Sequence, residues 1–193
     1  MGALEGSYAV QNNLSEIVYF SKQQIVDCSK DHGNDGCNGG EMWAANEYMM
    51  TTGLELESEY PYTAKDGECK KKLNERVKLE SYKNCTENSG VSLAEGIDLG
   101  SVSVSVDAGS MGWMYYHTGI LDEIECGITT EVDHAITAVG YVLDEDIKYW
   151  ILENSWGPDW GEGGFIRLEA SEKGRGACGI NWQNVYPGKI IEV

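Results

Sequence analysis

Ser101-Val102-Ser103-Val104-Ser105-Val106-Asp107 alternates small polar and β-branched apolar residues without a break. A strand sends successive side chains to opposite faces, so this stretch reads as a half-buried strand with one valine face and one serine face. Outward toward the C-terminus, further strands are expected at 135–141, 147–153 and 164–168. Outward toward the N-terminus the period changes. Met1, Leu4 and Tyr8 follow helical spacing, and the pattern stops around Asn12-Asn13. Ser21-Lys22-Gln23-Gln24 has the form of a capping box and opens a short helix through Ile25 and Val26. Met42, Ala45 and Met49, with Ala44 and Tyr48, mark a third helix that ends before Gly53. Helices first and strands later imply segregated parts, hence an α+β protein, with the seam near Asn84.

The chain has 193 residues, little more than one domain by length, and enough to bury a sizeable core. It holds no run of the ~20 apolar residues that a membrane-spanning helix needs. Fourteen Lys plus Arg stand against 32 Asp plus Glu, a net charge of −18. That balance repels polyphosphate backbones and anionic membranes, and reads as a solvated acidic surface. Glycine is abundant, 24 residues, and clusters in Gly36-Cys37-Asn38-Gly39-Gly40 and Gly161-Glu162-Gly163-Gly164, where backbone is approached closely. Six cysteines, none in a C-x-x-C pair, fit a disulfide-bearing extracytosolic protein better than a zinc ribbon or thioredoxin motif. Residues 1–20 show no secretory signal pattern.

Of the three histidines, His32 lies in an acidic turn and His117 follows two tyrosines; both read as packed or exposed side chains. His134 differs, because Val132-Asp133-His134-Ala135 enters an apolar strand. Twenty residues on, an apolar strand delivers Glu153-Asn154-Ser155-Trp156-Gly157-Pro158-Asp159-Trp160-Gly161. An imidazole that works with a cysteine nucleophile needs its far nitrogen held by an acceptor, and an Asn carbonyl serves. A tryptophan packed over that contact excludes water and strengthens it.

These motifs resemble the papain-like cysteine proteases of the cathepsin L kind. Val26-Asp27-Cys28-Ser29, Glu59-Tyr60-Pro61-Tyr62 and Ala177-Cys178-Gly179-Ile180 extend the likeness nearly end to end and in family order. The resemblance implies a two-lobed fold: a helical half (1–83), an antiparallel β-barrel-like half (84–188), a return segment (189–193) and a cleft between the halves. It makes His134 the catalytic imidazole, Asn154 its orienting residue and Trp156 their shield. Gly39 and Gly40 would offer backbone groups to an extended peptide, with Asp133 and Ala135 lining the opposite side. An ungapped carry-over puts Ser105 and Gln183 in the pocket for the side chain next but one before the scissile bond, Gln183 at its deep end. Family pairing implies Cys28–Cys69 and Cys126–Cys178, leaves Cys37 without its usual partner, and gives Cys85 no counterpart, so that it reads as a small buried hydrophobe.

The resemblance also implies that the nucleophilic cysteine and the oxyanion-hole glutamine precede Met1. A cysteine about six residues upstream would stand about 139 residues before His134 and about 159 before Asn154, near the family's roughly 130–150. The chain alone is therefore expected not to cleave peptides, since the covalent route needs its nucleophile. Two readings stand side by side: a cysteine-type endopeptidase catalytic domain, or a catalytically dead papain-like binding or storage protein. Expected partners are peptide or protein substrates, with the family's N-terminal or pro-segment a further candidate; no cofactor, metal, nucleic acid or membrane span is implied. Expected locations are a lysosome-like vacuole or the cell exterior. Asn13-Leu14-Ser15 and Asn84-Cys85-Thr86 are sequons compatible with that route.

Overall fold

The computed structural model describes residues 1–70, 73–127 and 131–193. In chain order the elements are α1 (Gly2–Gln11), α2 (Lys22–Cys28), α3 (Met42–Thr51), β1 (Val77–Leu79), β2 (Tyr82–Asn84), α4 (Gly90–Asp98), β3 (Val102–Val106), α5 (Met111–Met114), β4 (Ile120–Leu121), α6 (Glu123–Cys126), β5 (His134–Leu143), β6 (Lys148–Glu153), β7 (Phe165–Glu169), β8 (Asn184–Pro187) and β9 (Ile190–Glu192). They form two compact units, one of Met1, Ala3–Lys83 and Pro187–Val193, the other of Gly2 and Asn84–Tyr186.

The first unit is helical because its apolar residues recur at helical spacing and need a common core. Leu4 and Tyr8 of α1 pack with Phe20, Tyr48, Met49, Leu54, Val77, Leu79 and Ile190. The C-terminal strand β9 returns to pair antiparallel with β1, Leu79 opposite Ile190. Two side chains of α1 hold it there: Tyr8 donates to Glu192 at 2.8 Å, and Gln11 Oε1 accepts the Ile190 N–H at 3.0 Å. At the start of α2 only half of the expected capping box forms. Ser21 Oγ accepts the Gln24 N–H, but the Gln24 carboxamide turns into the core, accepting from Glu55 N–H and donating to the Gly53 carbonyl. The Ser21 N–H goes instead to the Glu55 carbonyl. With its further donation to Tyr48 Oη, this buried amide meets three partners outside α2 and so outcompetes the local reciprocal bond.

Nor is all the acid on a solvated surface. Glu5, Asp27 and Glu55 are buried. Each accepts backbone N–H groups, from Phe20, Gly67 and Asn74 respectively, and so ties a connecting segment down. Asp27 also accepts from Tyr60 Oη at 2.6 Å, and burial followed by that carboxylate holds the phenol above its ordinary pKa.

In the second unit six strands are hydrogen-bonded in the order β8-β3-β5-β6-β7-β4. All neighbours are antiparallel except β4 and β7, which run parallel, Ile120 opposite Arg167. The order is linear, so this half holds an open mixed sheet and no closed barrel among the described residues. The valine face of β3 is fully buried with Trp113, Ala138, Trp150, Leu152, Ile166, Leu168 and Ile180. Its serine face is more covered than strict alternation predicts: Ser105 is buried and donates to the Gln183 carbonyl at 2.6 Å.

Two disulfides form, Cys28–Cys69 and Cys126–Cys178, the pairs that the resemblance implies. Cys37 is free and exposed, and Cys85 is free and buried, its thiol pushed by burial up to about 11. The Cys126–Cys178 bridge joins α6 to the turn at Ala177–Gly179 across 52 residues of chain. Replacing both cysteines by alanine is expected to cost ~3 kcal/mol, mainly by freeing the unfolded chain, and to lower the melting midpoint by roughly 6–12 °C. Calorimetry of the two proteins without reductant checks this; an unchanged midpoint contradicts it.

Candidate active site

His134 opens β5, where the ladder sets it opposite Val106 of β3. Asn154 is the first residue after β6, and its N–H donates to the Gly164 carbonyl across the neck of the β6–β7 connection. With β5 and β6 paired, Thr137 opposite Glu153, the two side chains meet: His134 Nε2 lies 2.8 Å from Asn154 Oδ1. The same oxygen accepts the Ser155 backbone N–H, also at 2.8 Å. A backbone N–H can only donate, so this atom is the carbonyl oxygen, and Nε2 must carry the proton. Neutral His134 then keeps the lone pair on Nδ1, the nitrogen facing away from Asn154. Asn154 is buried and its Nδ2 has no hydrogen-bond partner among the described residues.

Trp156 lies against the imidazole, ring centroids 5.4 Å apart. Behind it an aromatic series continues: Trp156 meets Trp160 edge-on at 5.5 Å, and Trp160 packs on Trp113 at 5.8 Å and Tyr116 at 5.6 Å. Trp113 and Tyr116 were not singled out from sequence. The only signal was a Trp/Tyr-rich stretch, and nothing local says that 113–116 and 156–160 meet. The hairpin carrying both tryptophans turns at Gly161, φ +59°, where a Cβ would lie 2.5 Å from the Phe165 carbonyl. Only glycine fits there. Glu162 braces the same hairpin. It accepts from Thr118 Oγ1 at 2.8 Å, Gly119 N–H at 3.1 Å and the Arg167 guanidinium at 2.6 and 2.9 Å. The Arg167 bonds first, then those from Thr118 and Gly119, hold its carboxyl down at about 2.

The other expected residues are placed as follows. Asp133 Oδ1 accepts the Ala108 N–H at 2.8 Å, and Asp133 and Ala135 are exposed on either side of His134. Ser105 stands opposite Ala135 in the ladder, and its hydroxyl is committed to the Gln183 carbonyl, which brings Ser105 and Gln183 together. The Gln183 side chain is exposed. In the first unit Gly39 and Gly40 are exposed but not equivalent. Gly39 donates to the Gly36 carbonyl and accepts from Asp35 N–H, whereas neither backbone group of Gly40 has a hydrogen-bond partner among the described residues. Gly40 is therefore the better candidate for strand-like pairing with a peptide, and Gly39 the weaker one, because an already bonded N–H has nothing left to donate. A Cβ on Gly40 would lie 2.0 Å from Asn34 Oδ1, the acceptor of the Glu41 N–H. Beside Gly40 lies a cavity of about 190 Å³ with Ile25, Val26, Met42 and Ala45 in its wall.

Cys37 is a poor nucleophile as placed. Desolvation and then the Asp66 carboxylate raise its thiol pKa, away from the thiolate that attack requires. His32 Nε2 contacts Thr51 Oγ1 at 3.1 Å and its ring meets Tyr48 edge-on, a packed histidine. Among the described residues no three His, Cys, Asp or Glu side chains converge as a metal-ligand set, and no helix is long and apolar enough to cross a membrane.

An imidazole held by an asparagine beside a tryptophan, on an α+β chain, agrees with comparison to known proteins. The model of the papain family cysteine proteases matches residues 1–188, and the chain belongs to that family. Among curated relatives, digestive cysteine proteinase 3 of Homarus americanus is 37% identical over 188 residues, 96% of this chain and 57% of that protein. The probable cysteine protease RD21B of Arabidopsis thaliana is 38% identical over 193 residues, 98% of this chain and 40% of that protein. The chain thus spans about half the length of the curated relatives it matches. Among solved structures, the Carica candamarcensis cysteine protease CMS1MS2 in complex with E-64 superposes with a TM-score of 0.85 at 32% identity, covering 97% of this chain and 84% of that one. The ragweed pollen allergen Amb a 11, a cysteine protease in its proform, gives 0.86 at 33% identity over 96% of this chain and 50% of that one.

Glu162 generates a pH dependence. An unfolded glutamate titrates near ~4.3, whereas folded Glu162 is held at about 2. The unfolded chain binds more protons in that window, so this stabilisation is whole above the unfolded value and is lost as pH falls toward the folded one. Glu162→Gln is expected to cost ~1–2 kcal/mol at pH 7, discounted for partial exposure, and to flatten the fall in stability between about pH 5 and pH 2. Urea melts across that range check it; equal slopes for the two proteins contradict it.

Proposed function

We propose that this chain is the catalytic domain of a cysteine-type endopeptidase that hydrolyses peptide bonds through an acyl-enzyme. The observation that carries the reading is the 2.8 Å contact of His134 Nε2 with an Asn154 oxygen that also serves Ser155 N–H. That geometry commits one ring nitrogen to orientation and leaves Nδ1 for proton transfer. The nucleophile in this reading is a cysteine preceding Met1, its proton drawn to His134 Nδ1. The thiolate sulfur bonds to the scissile carbonyl carbon, whose π electrons move to oxygen. Collapse of that oxyanion breaks the C–N bond, and the leaving amine takes the proton from Nδ1. Water then loses a proton to Nδ1 and adds to the thioester; loss of the thiolate releases the acid. Asn154 keeps the ring in register through both proton transfers, and Trp156 limits water at the bond that holds it.

Substrates in this reading are extended peptides, with Gly40 supplying backbone pairing. Ser105 and Gln183 border the pocket for the residue next but one before the cleavage point. A lysosome-like vacuole or secretion suits the two disulfides, which persist in oxidising compartments.

The 193 residues alone are expected to show no peptidase turnover, and a chain extended upstream to include the glutamine and cysteine is expected to show it. Within the extended chain His134→Ala is expected to abolish activity, and Asn154→Ala to lower kcat by ~10²–10⁴ with little change in KM. Turnover by the short chain that Cys37→Ala abolishes would assign the nucleophile to Cys37 and overturn the upstream assignment. A silent extended chain that still binds peptides would favour a binding or storage protein.

Gln183 is neutral and both donates and accepts, so the pocket is expected to accept a polar or basic tip better than an all-apolar floor would, and less well than a carboxylate floor. Leu, Phe and Arg substrates compared on the extended enzyme and on Gln183→Ala read this directly. An unchanged order of kcat/KM means that Gln183 is not the floor.

A further inference from the structure

We propose that Asn13 is an acceptor of N-linked oligosaccharide. Asn13-Leu14-Ser15 carries the acceptor pattern, an asparagine followed two residues later by a hydroxyl, with no proline between. The structure puts that pattern where a sugar chain can be carried. α1 ends in a Schellman turn: Leu14 N–H donates to the Ala9 carbonyl at 2.9 Å and Asn13 N–H to the Val10 carbonyl at 3.2 Å, with Asn13 left-handed at φ +50°. The turn is built by backbone groups and leaves the Asn13 side chain unused. The contrast with Asn12 is direct, since Asn12 Nδ2 donates to the Tyr8 carbonyl at 2.9 Å. Asn13, Leu14 and Ser15 are all exposed, and among the described residues neither the Asn13 carboxamide nor the Ser15 hydroxyl has a hydrogen-bond partner.

A second observation concerns what surrounds the turn. Val10, Leu14, Ile17 and Tyr19 are 60%, 41%, 44% and 59% exposed, four apolar side chains in ten residues. The acceptor thus lies within a stretch whose apolar side chains meet water, and a bulky hydrated oligosaccharide on Asn13 keeps such a stretch solvated. The transfer is simple in its balance. The Asn13 amide nitrogen bonds to C1 of the first sugar of a lipid-diphosphate-linked oligosaccharide. The C1–O bond to the lipid diphosphate breaks, the diphosphate leaves with the electron pair, and the amide gives up one proton to the membrane-bound transferase. The second sequon, at Asn84 near the end of β2, provides an internal comparison: Asn84 is exposed but its middle residue, Cys85, is buried.

The test is made on protein purified from eukaryotic cells that express its gene. Treatment with an N-glycosidase in heavy-oxygen water converts a glycosylated asparagine to labelled aspartate, and the tryptic peptide that ends at Lys22 is weighed. The label at residue 13 is expected. Recovery of that peptide with unlabelled asparagine overturns the proposal, whether or not Asn84 is labelled. Ser15→Ala removes the acceptor pattern and leaves the Schellman turn intact. Asn13→Gly removes the acceptor and keeps a residue that tolerates φ +50°. Each is expected to lose the same glycan from the electrophoretic mobility with an unchanged circular dichroism spectrum. A glycosidase-sensitive band that persists unshifted in either variant counts against Asn13. The readout is carbohydrate, so its failure leaves the peptidase reading untouched.

Discussion

One carbonyl oxygen organises the candidate site. Asn154 Oδ1 accepts from both His134 Nε2 and the Ser155 backbone, and the second bond makes the first unambiguous. An amide free to flip would present either an acceptor or a donor to the imidazole, and the ring could then adopt either tautomer. Tying the oxygen to a group that can only donate removes that freedom. What remains is an imidazole with a defined proton, a defined plane and one nitrogen available for chemistry. His134 and Asn154 come from neighbouring strands, so the contact is only as good as the β5–β6 register. That register is held by twelve paired residues, with one irregularity between Ala138 and Gly140.

The hairpin after Asn154 shows how the rest of the second unit serves this contact. Trp156 cannot be fixed by β6 alone, since Gly157 follows it at φ +90°. Its position is set from behind, by Trp160 against Trp113 and Tyr116, and from below by Glu162. Glu162 gathers the 118–119 segment and β7 onto one carboxylate. An Arg–carboxylate fork of this kind adds geometry as well as energy, which suits a loop that must hold an aromatic plane over a ring.

The first unit uses acid differently. A chain with net charge −18 would be expected to wear its carboxylates outside, yet Glu5, Asp27 and Glu55 are buried. Each replaces water with backbone N–H groups of a segment that has no strand or helix to satisfy them. An unpaired buried N–H costs about as much as a lost hydrogen bond, so a buried carboxylate becomes an inexpensive way to order a loop. The loop that carries Gly39 and Gly40 is organised in the same spirit, by the Asn34 carboxamide between Ser29 and Glu41.

Much of this was legible from the residues. Helical spacing at Met1, Leu4 and Tyr8 and alternation from Ser101 gave the α+β division, because local periodicity reports which face meets the core. The motifs around His134 and Asn154 named the candidate pair, because the chemistry restricts the residue types. The partners in space could not be read in the same way. Nothing in the local sequence says that Gln24 prefers Glu55 and Gly53 to its own cap, that Ser105 bonds the Gln183 carbonyl, or that Gly39 is committed while Gly40 is not. The same holds for the sheet, which has one parallel pair and stays open. Periodicity is a property of a single segment, whereas a hydrogen bond between residues 78 positions apart depends on which segments the core brings together. The sequence alone determined the residue types able to do the chemistry; only the tertiary structure decided which of their atoms are already spent.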